Sequence, residues 1–171
     1  KVTLEIGVFF DGTLNNRFNV ALRNRSDDSY HNALSNPALL WAQYKNGATY
    51  DVRNSCGGVA RAFRSIYVEG PGSVEGEKDD TTGYATGMGR RSGVEARVLQ
   101  GFERLLREIG SVGGPPSIEK VVLDVFGFSR GAAAARYFVN CIRGRRVRYD
   151  PVGWGDYTEK LPEGLTVEIR F

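Results

Sequence analysis

The sequence holds a single histidine and two cysteines, and it has no apolar run long enough to cross a bilayer. Each scarcity removes a class of function. One histidine, His31, excludes a His-rich metal centre. Cys56 and Cys141 form no Cys-x-x-Cys pair and are too few for a disulfide framework, so both read as inert thiols. No metal ligand set and no cofactor is expected. A net charge of +3 is mild, and no basic stripe interleaved with aromatics is present, so no nucleic-acid partner is expected. No signal peptide is visible: the opening apolar stretch carries Glu5 and runs directly into a turn pair. What remains, 171 residues with 41% apolar content, suffices for one packed domain or a piece of one.

The pattern along the chain alternates strands and helices. KVTLEIGVFF reads as a buried central strand that stops at Asp11-Gly12. Residues 15 to 35 are polar and read as a surface loop. SNPALLWAQYKNG reads as a short helix capped by Ser35 or Asn36, with Pro37 in its first turn and Asn46-Gly47 closing it. SIYVEG is a short strand. From Gly70 to Gly93 the chain is glycine-rich and too long for a simple connector, which suggests a lid with Gly87 and Gly89 in it. Ser92 and Glu95 have capping-box spacing before an amphipathic helix of Val94, Val98, Phe102, Leu105, Leu106 and Ile109 that Gly110 ends. IEKVVLDVFGFS is a second strong strand, apolar on both faces as in a central parallel strand covered by helices. RGAAAARYFVNCIRG is a helix ending near Gly144, residues 145 to 164 read as irregular, and LTVEIRF begins a third strand. This alternation predicts an α/β fold with a mostly parallel sheet flanked by helices.

Two short stretches carry chemistry. VFFDGTLNN resembles the opening of a haloacid-dehalogenase-type phosphatase, but the place of the nucleophilic Asp is taken by Phe9, which cannot attack phosphorus. Further on, Gly127-Phe128-Ser129-Arg130-Gly131 is a G-x-S-x-G run with a buried strand before it and a helix after it. That context requires a sharp turn with Ser129 at its tip and glycines where side chains would collide. Ala132 to Ala135 let the helix approach the sheet. Ser129 is the candidate nucleophile. The Arg130 N–H is one expected oxyanion donor, and the Asp11-Gly12-Thr13 turn is an expected second source, with Gly12 allowing close approach and Asp11 pinning the turn. A structural Asp-Gly turn is the alternative.

Taken together, FFDGTLNN and VFGFSRGAAAAR resemble the α/β-hydrolase catalytic domain of type VI secretion phospholipase effectors, and IYVEGPG, GYATGMG and GVEARV fit the same pattern. The resemblance covers most of residues 2 to 142. It implies hydrolysis of phospholipid acyl esters at a target-cell membrane. It also implies synthesis in a bacterial cytoplasm, export by the type VI system to the target-cell periplasm or membrane, a secretion spike or adaptor partner, and an immunity protein.

The triad is incomplete in this stretch. In α/β-hydrolases an acid and then a histidine follow the serine. No histidine follows Ser129, and His31 lies upstream. Asp150, Asp156, Glu159 and Glu163 sit in irregular sequence, and Asp124 is too near Ser129 along the chain to hold a base. Residues 1–171 are therefore expected to be the N-terminal portion of the catalytic domain, with the remaining strands and triad members beyond. A non-catalytic adaptor that keeps the hydrolase fold is the competing class. Arg143, Arg145, Arg146 and Arg148 read as a solvated basic run, with headgroup contact as the alternative.

Overall fold

The computed structural model describes residues 1–45, 49–51, 60–88, 91–149 and 157–171. Asn46-Gly47, Cys56, Gly89, Asp150 and Asp156 lie outside the described residues.

Strand β1 (Val2–Phe10) is followed by helices α1 (Arg17–Leu22), α2 (Asp28–His31) and α3 (Asn36–Gln43). Next come β2 (Thr49–Asp51), β3 (Ala60–Val68), α4 (Thr81–Thr86) and α5 (Val94–Ser111). The chain continues through β4 (Ile118–Gly127), α6 (Arg130–Arg143), β5 (Arg146–Tyr149), β6 (Tyr157–Lys160) and β7 (Val167–Arg170). The main sheet has the order β2-β3-β1-β4-β7. β3, β1, β4 and β7 are mutually parallel, and β2 is an antiparallel edge. This is the expected α/β architecture, with β1 and β4 central.

Alternation along the strands divides the sheet into two unlike faces. Leu4, Ile6, Val8 and Phe10 of β1 join Val121, Leu123 and Val125 of β4 on one face, against Val98, Phe102, Leu105 and Ile109 of α5 and Ala134, Ala135, Phe138 and Ile142 of α6. Fully burying one such large side chain stabilises by about 1.5–3 kcal/mol, so this stripe dominates the core. The opposite face is covered toward the carboxyl ends of the strands, where Tyr44, the residue after α3, lies against Gly7. Elsewhere that face carries ion pairs, Arg61–Glu5, Arg170–Glu5, Arg170–Asp124 and Lys120–Glu168. Helices thus flank the sheet as expected, but unevenly: α5 and α6 pack on one face, and α3 covers the other over β1 and β3, with Trp41 against Tyr67.

Several local expectations are corrected. Residues 15–35 form two short helices instead of a loop. Asn16 caps α1 by accepting from the Phe18 and Asn19 amides. Buried Asn19 donates to Ser29 Oγ and the Val74 carbonyl and accepts from the Gly76 amide. Ser35 caps α3 through the Ala38 amide, as read from the sequence. The Ser92 capping box does not form: Gly93 is the cap of α5, and the Ser92 hydroxyl donates to Asp80 Oδ2 at 2.5 Å. Residues 145–164 contain the β5–β6 hairpin. Within the basic run, Arg145 donates to the Leu165 and Pro162 carbonyls and is a structural clamp.

Candidate active site

The parallel pairing brings three turns to one edge of the sheet. Phe10 pairs with Val68 on one side and Gly127 on the other, so the chain leaves β3, β1 and β4 at the same level. That edge is where open α/β sheets form their ligand sites.

Ser129 sits between β4 and α6 with φ 55° and ψ −129°. A side chain held at such a positive φ costs on the order of 1–3 kcal/mol, and the surrounding structure must enforce it. Two close approaches do so. A Cβ on Gly127 would lie 2.5 Å from the Gly131 carbonyl oxygen and 2.7 Å from Ala132 Cα. A Cβ on Gly131 would collide with the Asp11 and Phe10 carbonyl oxygens. The Phe128 amide donates to the Phe10 carbonyl at 3.2 Å, tying the turn to β1. Ser129 is exposed and its hydroxyl makes no capping bond to α6, which leaves it facing outward at the positive end of that helix. The amides of Arg130 and Gly131, in the first turn, have no acceptor within the helix.

The Asp11-Gly12-Thr13 turn lies directly alongside. A Cβ on Gly12 would meet the Phe128 ring at 2.7 Å. Asp11 is 1% exposed. Its Oδ2 accepts from the Tyr67 and Ser35 hydroxyls, both at 2.6 Å, and its Oδ1 accepts from the Gly12 amide at 2.7 Å. Three donors compensate this buried carboxylate in place of a cation. Burial and the neighbouring Asp11 push the Tyr67 hydroxyl pKa far up, so Tyr67 stays a donor. The Gly12 N–H is therefore spent on Asp11 and does not point into the space over Ser129. Gly12 and Asp11 shape the turn, and of the donors named from the sequence the Arg130 amide, in the first turn of α6, is left without an acceptor in the helix. The Thr13 hydroxyl is buried with no partner.

The segment from Gly70 to Gly93 borders both turns. The Gly70 amide donates to the Asn15 carbonyl at 2.8 Å, and the Leu14 amide donates to Pro71 at 3.0 Å. Gly87 ends α4 in the left-handed conformation, and a Cβ there would lie 3.8 Å from Arg130 Cδ. Beneath this segment is an ion cluster that sequence reading missed. Glu69 is bonded to Gln100 Nε2 at 2.7 Å and paired with Arg97 and Arg104, each at 3.2 Å. Burial alone would raise the Glu69 pKa; the two guanidiniums outweigh it and hold the carboxyl below its usual range. One signal existed in the sequence: Arg97 occupies a buried position on α5 next to Val98, where an apolar residue is ordinary.

His31 is bonded away from the serine turn, to the Arg25 carbonyl. It ends α2, exposed, with Nε2 2.9 Å from that oxygen. Asp124 accepts from the Tyr44 hydroxyl and pairs with Arg170, a structural role. Cys141 is buried and free, and burial pushes its thiol pKa up. Among the described residues no group of three His, Cys, Asp or Glu side chains could hold a metal ion.

No protein-family model matches the chain, and no curated protein does. Among solved structures, the chain is similar to the Tle1 effector bound to the VgrG spike from the Type 6 secretion system, at 30% sequence identity and a TM-score of 0.51. The likeness covers 84% of this chain and 31% of that one, so this chain spans about a third of the length of the protein it resembles.

Proposed function

We propose that this chain is the nucleophile-bearing portion of a serine esterase that hydrolyses phospholipid acyl esters and is delivered as a type VI secretion effector. The observation that carries the reading is Ser129 held at φ 55° on an exposed turn, with the glycines before and after it sterically required. A serine at a tight strand–helix turn without chemistry to perform has no reason to bear that strain. Similarity to an effector bound to the VgrG spike supports the secretion setting and a spike protein as partner; the proposal adds a target-cell membrane and an immunity protein.

In the proposed reaction Ser129 Oγ attacks the acyl carbonyl. Its proton passes to a histidine, oriented by a carboxylate, and both lie outside these residues. The developing oxyanion is held by the Arg130 amide at the positive end of α6. The alcohol leaves, and water releases the fatty acid from the acyl-serine. The test is fluorophosphonate labelling and phospholipid hydrolysis by the full-length protein and its Ser129→Ala variant. Wild-type protein takes the label, and the variant loses both labelling and turnover, the latter by roughly three or more orders of magnitude. Equal turnover by the two proteins defeats the serine mechanism, and a wild-type protein that takes no label belongs with the adaptors.

A further inference from the structure

We infer that Arg97 is a positioning residue for the proposed acyl site: it holds residues 70–88 to residues 91–93 beside that site, and so governs how the long acyl chain is accommodated beside Ser129. This rests on the hydrolase reading above.

Arg97 is 2% exposed and projects from α5, whose other buried residues belong to the core. Its guanidinium reaches both ends of the segment at once. Nη2 donates to the Ser73 carbonyl at 2.6 Å and to the Arg91 carbonyl at 3.1 Å. Nη1 donates to Gln100 Oε1 at 2.8 Å and pairs with Glu69 at 3.2 Å. One fork therefore closes the segment on itself and fixes it to α5 and to the end of β3. Further ties, Gly72 amide to Ser92 carbonyl and Asp80 amide to Gly72 carbonyl, hold residues 72–80 and 91–92 together as one body. The segment's first residues bond to Leu14 and Asn15, just past the Asp11 turn, and farther along a Cβ on Gly87 would lie 3.8 Å from Arg130 Cδ, at the first residue of α6. It is thus the wall that spans from the Asp11 turn to the Ser129 turn. A lysine cannot replace Arg97, because one compact ammonium does not reach two carbonyls, an amide and a carboxylate in a planar fork.

A loosened wall leaves the elbow intact and misplaces only what lies beyond the ester, so its effect depends on acyl length. The experiment compares wild type, Arg97→Lys and the double variant Glu69→Gln/Arg97→Gln in the full-length protein. The double variant leaves neither Arg97 nor Glu69 as an uncompensated buried charge. Three readouts are taken: labelling of Ser129 by a small fluorophosphonate, and kcat/KM for a short-chain acyl ester and for a long-chain phospholipid. Labelling and short-ester turnover are expected to stay within about twofold of wild type. Long-chain kcat/KM is expected to fall by about tenfold to a hundredfold, chiefly through KM, as loss of binding to the acyl chain away from the ester does. Proportional losses on both substrates, no loss on either, or failure of both variants to fold would overturn the positioning role and leave the hydrolase reading standing. A wild-type protein that fails to label overturns the hydrolase reading and this inference together.

Discussion

At Ser129 the protein accepts a strained backbone that glycine would adopt without strain, at a smaller cost in unfolded-chain entropy. The φ of 55° is enforced from outside, by the packing of Gly127 on Ala132 and of Gly131 on the carbonyls that end β1. Stability and chemistry oppose each other at this residue. Ser129→Gly is expected to raise stability by about 1 kcal/mol, since only the side chain makes that conformation unfavourable, and to abolish labelling by fluorophosphonate. Urea unfolding midpoints of the two proteins check the first half, and a destabilised glycine variant would show that the turn is not strained. Asp11 makes the complementary point. Its three hydrogen bonds take up the Gly12 amide, one of the donors expected over Ser129, and build a corner against which the Phe128 ring lies.

At the scale of elements, β3 and α5 are joined by Glu69 with Arg97 and Arg104, both Glu69 and Arg97 almost fully buried. Removing one partner of such a pair costs about 3–5 kcal/mol, because the other charge is left without compensation. The pH dependence follows from the lowered Glu69 pKa. Its contribution is fully present above the unfolded carboxyl value of about 4.3, and it is lost as the pH falls through the lower folded value. Wild type is therefore expected to lose stability on acidification below about pH 4 more steeply than Glu69→Gln, which is less stable at pH 7 but has one titrating group fewer. Thermal melts of both proteins across pH 2–7 check this, and parallel curves would remove Glu69 from the account.

At the scale of the whole molecule, the sheet assembles the serine turn, the Asp11 turn and the segment from Gly70 to Gly93 along one edge, but these residues bring no histidine to Ser129. The 171-residue chain by itself is expected to hydrolyse no phospholipid at a measurable rate, whereas the full-length protein does. Turnover near the full-length rate would place the base within these residues and return His31 to consideration.

The fold class, the two central strands, the amphipathic face of α5 and the Gly127–Gly131 elbow were legible in the sequence, because each depends on local rules. Alternation marks a strand, helical spacing marks a buried stripe, and glycine marks a place where a side chain would collide. Ser35 was readable as a cap for the same reason. The rest was decided only when distant segments met. The two helices between residues 15 and 35 stand on Asn19, which bonds to Val74 and Gly76 far along the chain. Ser92 abandoned its local cap for Asp80, and Gly12 gave its amide to Asp11 once Tyr67 and Ser35 had fixed that carboxylate. Arg97 found Glu69 across a strand–helix contact. A hydrogen-bonding side chain has several satisfactory partners nearby in sequence, and local pattern does not rank them. Burial does, because inside the protein an unpaired polar group costs more than any local preference supplies.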